Sequence, residues 1–67
     1  MGRKIDVDDL VDAAGIAKRL GLSHPQTVHL WRRRYGGFPE PVVELTRVLV
    51  WDWSEVEAWA RTTGRLQ

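Results

Sequence analysis

The sequence predicts an α+β fold, mostly α, with three helices and a short two-stranded β-hairpin between the second and the third. Three observations carry this. Apolar residues recur at helical spacing in three segments, each preceded by a capping residue and followed by a glycine. Two β-rich runs, residues 42–45 and 48–51, stand between the second and third segments, split by Thr46-Arg47. The chain has 67 residues and four tryptophans, which suits one small domain with a tryptophan-rich core.

Residues 1–9 are polar and lack a periodic apolar pattern, so they read as a mobile N-terminal arm. On that arm Arg3 and Lys4 suit a phosphate or a minor groove, although disorder is the expected state. Residues 10–64 read as the domain and 65–67 as a short tail. Leu10 and Val11 lead in as a staple or short turn. The first helix is expected from about Asp12 to Leu20, with Asp12 as N-cap. Ala13, Ile16, Ala17 and Leu20 form its inward stripe, while Lys18 and Arg19 stay outside. Gly21 supplies the turn, and Leu22 packs inward.

The second helix is expected within Ser23 to Gly36, and the rest of the chain is organised around it. Ser23 and Gln26 have the spacing of a reciprocal capping box, and Pro25 falls in the first turn, where a missing N–H costs nothing. Gly36 is the expected left-handed stop, and Pro39 prevents the helix from resuming. Val28, Trp31 and Tyr35 share the face to be buried. Gln26, His29, Leu30 and Arg33 lie opposite, flanked by Thr27 and Arg34. Helix, a short turn containing glycine, and a second helix form the helix-turn-helix arrangement.

Gly37 to Pro41 is a rigid connection, anchored by Phe38. The hairpin follows, with Val48 and Val50 on one face, Leu49 and Trp51 on the other, and Arg47 at the tip. The last helix is expected from about Trp53 to Thr62, capped by Asp52 with Glu55 and stopped by Gly64. Val56, Trp59 and Ala60 form its buried stripe. It has no basic face and reads as a brace.

The net charge of +1 conceals an uneven distribution. No acidic residue occurs between Asp12 and Glu40, a stretch that holds Lys18, Arg19, Arg32, Arg33 and Arg34. Acids flank it on both sides. A basic middle of this kind suits a polyanion, unless acids and bases simply pair in space. A short helix presenting Gln, His, Leu and Arg suits a DNA major groove: Gln pairs with adenine, Arg with guanine, and Leu touches the thymine methyl. The expected base contacts are therefore Gln26, Thr27, His29, Leu30 and Arg33. The expected phosphate contacts are Lys18, Arg19, Arg32, Arg34 and Arg47.

Other classes fit less well. There is no cysteine, and two histidines without a second-shell pattern make no metal site; no cofactor motif is present. His24 and His29 have no acidic residue near them in sequence and no activated nucleophile accompanies them, so an enzyme is not expected. No apolar run reaches membrane-spanning length, and no signal-peptide pattern precedes the first charged residues. The expected setting is the cytoplasm, on the nucleoid when bound.

The Phe38-Pro39-x-Pro41 segment, the hairpin, and the run from Trp51 to Trp59 (Trp-Asp-Trp-Ser-Glu-Val-Glu-Ala-Trp) together resemble the small winged helix-turn-helix proteins of the AlpA and excisionase type. These are related to the DNA-binding half of MerR regulators. The resemblance covers about residues 11–62. It implies double-stranded DNA as partner, the second helix in the major groove, and the hairpin as a wing on the minor groove or backbone. By position it places Gln26, Thr27, His29, Leu30, Arg33 and Arg34 at the groove and Arg47 on the wing. Two features depart from many relatives: one additional residue before Thr27, and a wing without Gly-Gly or several basic residues. The effector domain and coiled coil of MerR regulators have no counterpart in these residues.

Two roles fit within DNA binding. An excisionase-like recombination factor would bind adjacent sites in several copies and direct an integrase or other recombinase. A small transcriptional regulator would occupy a promoter and meet RNA polymerase. A protein-interaction module, docking an acidic partner on the arginine face, is the alternative from another class.

Overall fold

The computed structural model describes residues 5–65. Arg3 and Lys4 of the expected arm, and all of the tail except Arg65, lie outside them. Asp6 to Asp9 closes a tight 3-10 turn, with the Asp9 N–H donating to the Asp6 carbonyl at 2.9 Å. The elements that follow are β1 (Leu10–Val11), α1 (Ala13–Leu20), α2 (Gln26–Arg34), β2 (Val43–Glu44), β3 (Leu49–Asp52) and α3 (Trp53–Thr62). The result is a small α+β fold of three helices and a three-stranded antiparallel sheet of order β1-β3-β2.

The sheet has one strand more than the sequence predicts. Leu10 and Val11, expected as a staple or turn, pair with Asp52 and Trp51 of β3. On the other side of β3, Val43 pairs with Val50 and Glu44 with Leu49. The Leu45 N–H donates to the Val48 carbonyl at 2.8 Å, which closes the hairpin around Thr46 and Arg47 as expected. Two residues are too few to show an alternating pattern, so β1 gains its strand character only from β3 beside it.

Helix α1 begins and ends as its sequence predicts. The Asp12 carboxylate accepts from the Gly15 N–H at 2.8 Å. Gly21 takes the left-handed conformation at φ 74°, and the Leu22 N–H reaches back to the Ala17 carbonyl at 2.8 Å. Ala13, Ile16 and Ala17 are buried and Leu20 is half-buried.

Helix α2 departs from its expected ends. It starts at Gln26, two residues too late for Ser23 to cap it; the N-cap position falls on Pro25, and no side chain caps the first turn. Pro25 is itself helical (φ −61°, ψ −25°), and the His24 and Pro25 carbonyls accept from Thr27 and Val28 at 3.1 and 3.0 Å. Backbone alone therefore closes this turn, with proline's fixed φ replacing the Ser23–Gln26 box. At the other end Gly36 is not left-handed. Tyr35 leaves the helix extended (φ −111°, ψ 114°), and its ring lies 6.1 Å from that of Trp59. The aromatic contact sets the exit in place of a glycine cap.

Val11, Ala13, Ile16, Val28, Phe38, Trp51 and Val56 form the core, with Leu20, Leu22, Trp31, Leu49, Trp53 and Trp59 packed around it. Trp51 is fully buried at its centre; its indole N–H donates to the Pro39 carbonyl at 3.0 Å, and its ring meets Phe38 edge-on at 6.0 Å. That bond and Phe38 fix the Phe-Pro-Glu-Pro connection onto the sheet. Arg65 covers the second aromatic group, its guanidinium 4.7–5.1 Å from the rings of Tyr35, Trp59 and Trp31.

Asp52 joins β3 to α3. Its carboxylate accepts from the Ser54 N–H at 3.0 Å and from the Ser54 hydroxyl at 2.8 Å. At the far end, Gly64 (φ 78°) lets the Arg65 N–H reach the Ala60 carbonyl at 2.8 Å. Because Asp52 is buried, Asp52→Ala removes both the cap and the hydroxyl's partner. It should lower stability by about 1–2 kcal/mol, with Asp52→Asn closer to wild type, as thermal unfolding followed by circular dichroism would show.

Candidate nucleic-acid interface

Helix α2 lies across α1 with Val28 fully buried and Trp31 half-buried, and this packing determines what the opposite side shows. Gln26, Leu30, Arg33 and Arg34 are exposed there, and Thr27 is half-buried at the margin. Leu30 is 56 % exposed, a large apolar side chain in water that nothing in the fold requires. Gln26, Leu30 and Arg33, three of the five residues expected to reach base edges, thus share one open face. His29 is exposed too, but its ring is tilted against the buried Trp51 indole at 6.2 Å between centroids. It points along the side of α2 that faces the hairpin.

The arginines of the run are not equivalent. Arg32 is half-buried, with a terminal nitrogen 3.9 Å from Glu40 and 3.8 Å from Glu44, while its Nε is buried without a hydrogen-bond partner. It ties α2 to the connection and to β2, so pairing of acids and bases in space holds at this position. Among the described residues, no carboxylate lies within ion-pair distance of Lys18, Arg33, Arg34 or Arg47. Those four cations remain available to an outside anion.

Two depressions border the hairpin. An open groove of about 820 Å³ is lined by Leu10, Val11, Asp12, Gly15, Lys18, Arg19, Val48 and Val50. A smaller cleft of about 150 Å³ is lined by Asp12, Ala13, Ala14, His29, Arg47, Val48 and Leu49. Asp12 and Val48 line both, so the two adjoin. Lys18 and Arg19 therefore stand beside the hairpin. Arg19 is further anchored, 5.2 Å over the Trp53 ring and donating to the Asp8 carbonyl at 3.4 Å.

The structure thus brings Gln26, Leu30, Arg33 and Arg34 together on one helix face, and Arg47 with His29 in a cleft beside it. Lys18 and Arg19 are gathered on the adjoining groove with Val48 and Val50, and Arg32 is drawn towards acids. The roles of Glu40 and Glu44 in holding Arg32 went unseen in the sequence, where both read only as part of an acidic flank. Among the described residues no group of three His, Cys, Asp or Glu side chains could hold a metal ion, and no helix is long and apolar enough to cross a membrane. No known protein family, characterised protein or solved structure matches the chain.

Proposed function

We propose that this chain is a sequence-specific double-stranded DNA-binding protein of the winged helix-turn-helix, excisionase-like type. The observation that carries this reading is the exposed face of α2. Gln26, Leu30 and Arg33 stand in water on a short helix held rigid by Val28 and Trp31, beside cations that no carboxylate answers. In this reading α2 lies in the major groove. Gln26 and Arg33 make bidentate contacts to adenine and guanine, and Leu30 meets a thymine methyl. Lys18, Arg19, Arg34 and Arg47 hold phosphates, which fixes register without reading sequence.

So small a module buries a modest interface, and several copies on adjacent sites would supply the remaining affinity. Closely spaced direct repeats at an attachment site would go with an integrase or recombinase as partner. A single site overlapping a promoter would go with RNA polymerase and transcriptional control. The protein itself performs no chemistry in either role.

Salt dependence tests the electrostatic half of this reading. Affinity for a duplex should fall steeply as salt rises, because each neutralised phosphate releases counterions. Lys18→Ala and Arg34→Ala, both at exposed positions, should weaken all sequences alike and each reduce the log–log salt slope by about 1, measured by fluorescence anisotropy. Slopes equal to wild type in both variants would remove these residues from the phosphate contacts. Binding to an acidic protein that duplex DNA cannot displace would favour the protein-interaction reading instead.

A further inference from the structure

His29 and Arg47 are far apart in sequence and belong to different elements, one to α2 and one to the hairpin tip. They nevertheless line the same cleft of about 150 Å³. The remaining walls are small or apolar, from Ala13, Ala14, Val48 and Leu49. The one other charged group, Asp12, has an oxygen committed to the Gly15 N–H at 2.8 Å. Arg47 has no carboxylate partner among the described residues. The His29 ring is supported against Trp51, and this contact directs it to the hairpin side and away from the Gln26–Arg33 face. Two hydrogen-bond donors thus flank an opening with room for a phosphate group, and the Asp12 carboxylate, turned to the first turn of α1, is the other charged group on its wall.

We infer that this cleft grips a single DNA phosphate, with the His29 imidazole donating from the recognition helix and the Arg47 guanidinium from the hairpin. This rests on the DNA-binding reading above and refines it. His29 becomes a backbone contact, not a base contact, and the hairpin and α2 are fastened to the same point on one strand. The shared phosphate fixes the spacing between hairpin and helix. That matters for a hairpin whose only basic residue is Arg47. A phosphate held from two elements positions α2 along the groove in a way that separate contacts would not.

The test combines variants with duplexes in which one phosphate at a time is replaced by an uncharged methylphosphonate. Both side chains are exposed, so His29→Ala and Arg47→Ala should fold as wild type does, which thermal melts check. Each should bind a selected site roughly tenfold more weakly, the scale of one charge-assisted hydrogen bond. One particular methylphosphonate should weaken wild type by a similar factor and leave both variants unaffected. The double variant should be little worse than either single one, and His29→Gln, which keeps an N–H donor, should recover part of the loss. The preferred sequence should stay the same in all of them.

Sensitivity of the two variants to different phosphates, fully additive losses, or a relaxed base preference in His29→Ala would overturn the shared clamp while leaving DNA binding intact. Failure of the wild-type protein to bind duplex DNA would overturn both.

Discussion

Trp51→Ala should abolish the cooperative unfolding transition of this domain. The indole is fully buried within the one core cluster that residues of β1, α1, α2, β3 and α3 share. Its ring meets Phe38 of the connection at 6.0 Å, supports His29 of α2 and donates to the Pro39 carbonyl at 3.0 Å, while the Trp51 backbone pairs with Val11 of β1. Truncating a buried tryptophan costs about 3–5 kcal/mol through lost burial and the cavity left behind. A single core in a chain this short rarely supplies more than about 3–5 kcal/mol in total. The loss therefore equals the stability available, and a featureless thermal profile is the expected result.

Trp51→Phe separates packing from hydrogen bonding. It keeps a ring in the core but leaves the Pro39 carbonyl without its donor, so it should melt cooperatively at reduced temperature, with a loss of about 1–3 kcal/mol. Circular dichroism melts of the two variants check both statements. A cooperative melt of Trp51→Ala within a few degrees of wild type would remove Trp51 from the centre of the fold.

Arg33→Ala should leave stability unchanged and reduce affinity at the specific site by about 1–3 kcal/mol, with the sequence preference relaxed at one base pair. Arg33 is exposed on the same face as Gln26 and Leu30 and has no carboxylate partner among the described residues, so its removal disturbs nothing in the fold. Its neighbour Arg32 differs entirely, lying between Glu40 and Glu44. Competition binding with single-base-pair variants of the site gives the profile for wild type and Arg33→Ala. If Arg33→Ala weakened every sequence equally, as Arg34→Ala should, the division between base and phosphate contacts would fail.

Much of the fold was legible because local signals and long-range packing agree. The Asp12 and Asp52 caps, the Gly21 and Gly64 stops and the inward stripes of α1 and α3 are all properties of short segments, and each is present in the structure. Disagreement arises where a distant partner decides. β1 is a strand only because β3 lies beside it. The exit of α2 follows the Tyr35–Trp59 contact, and proline geometry displaced the Ser23–Gln26 box.

The candidate interface follows the same rule. A helical wheel separates Val28, Trp31 and Tyr35 from the exposed face of Gln26, Leu30 and Arg33; the structure keeps this for Val28 and Trp31, while Tyr35 lies past the end of α2 and is 37 % exposed. It carries no information on the tilt of the His29 ring, which depends on Trp51, nor on the acids beside Arg32, which come from Glu40 and Glu44. Grouping Lys18 and Arg19 with the hairpin likewise requires the chain to fold before it can be seen.

Sequence reading by α2 is tested most directly by a selection of bound sequences from random duplex DNA by the wild-type protein, run at two salt concentrations. A sequence-reading α2 should enrich one short motif, the same at both salts, appearing as closely spaced repeats as expected for several copies of an excisionase-like protein. Weak binding that enriches no motif and vanishes at the higher salt would contradict it. The exposed face of α2 would then be a general attraction for polyanions and would read no sequence.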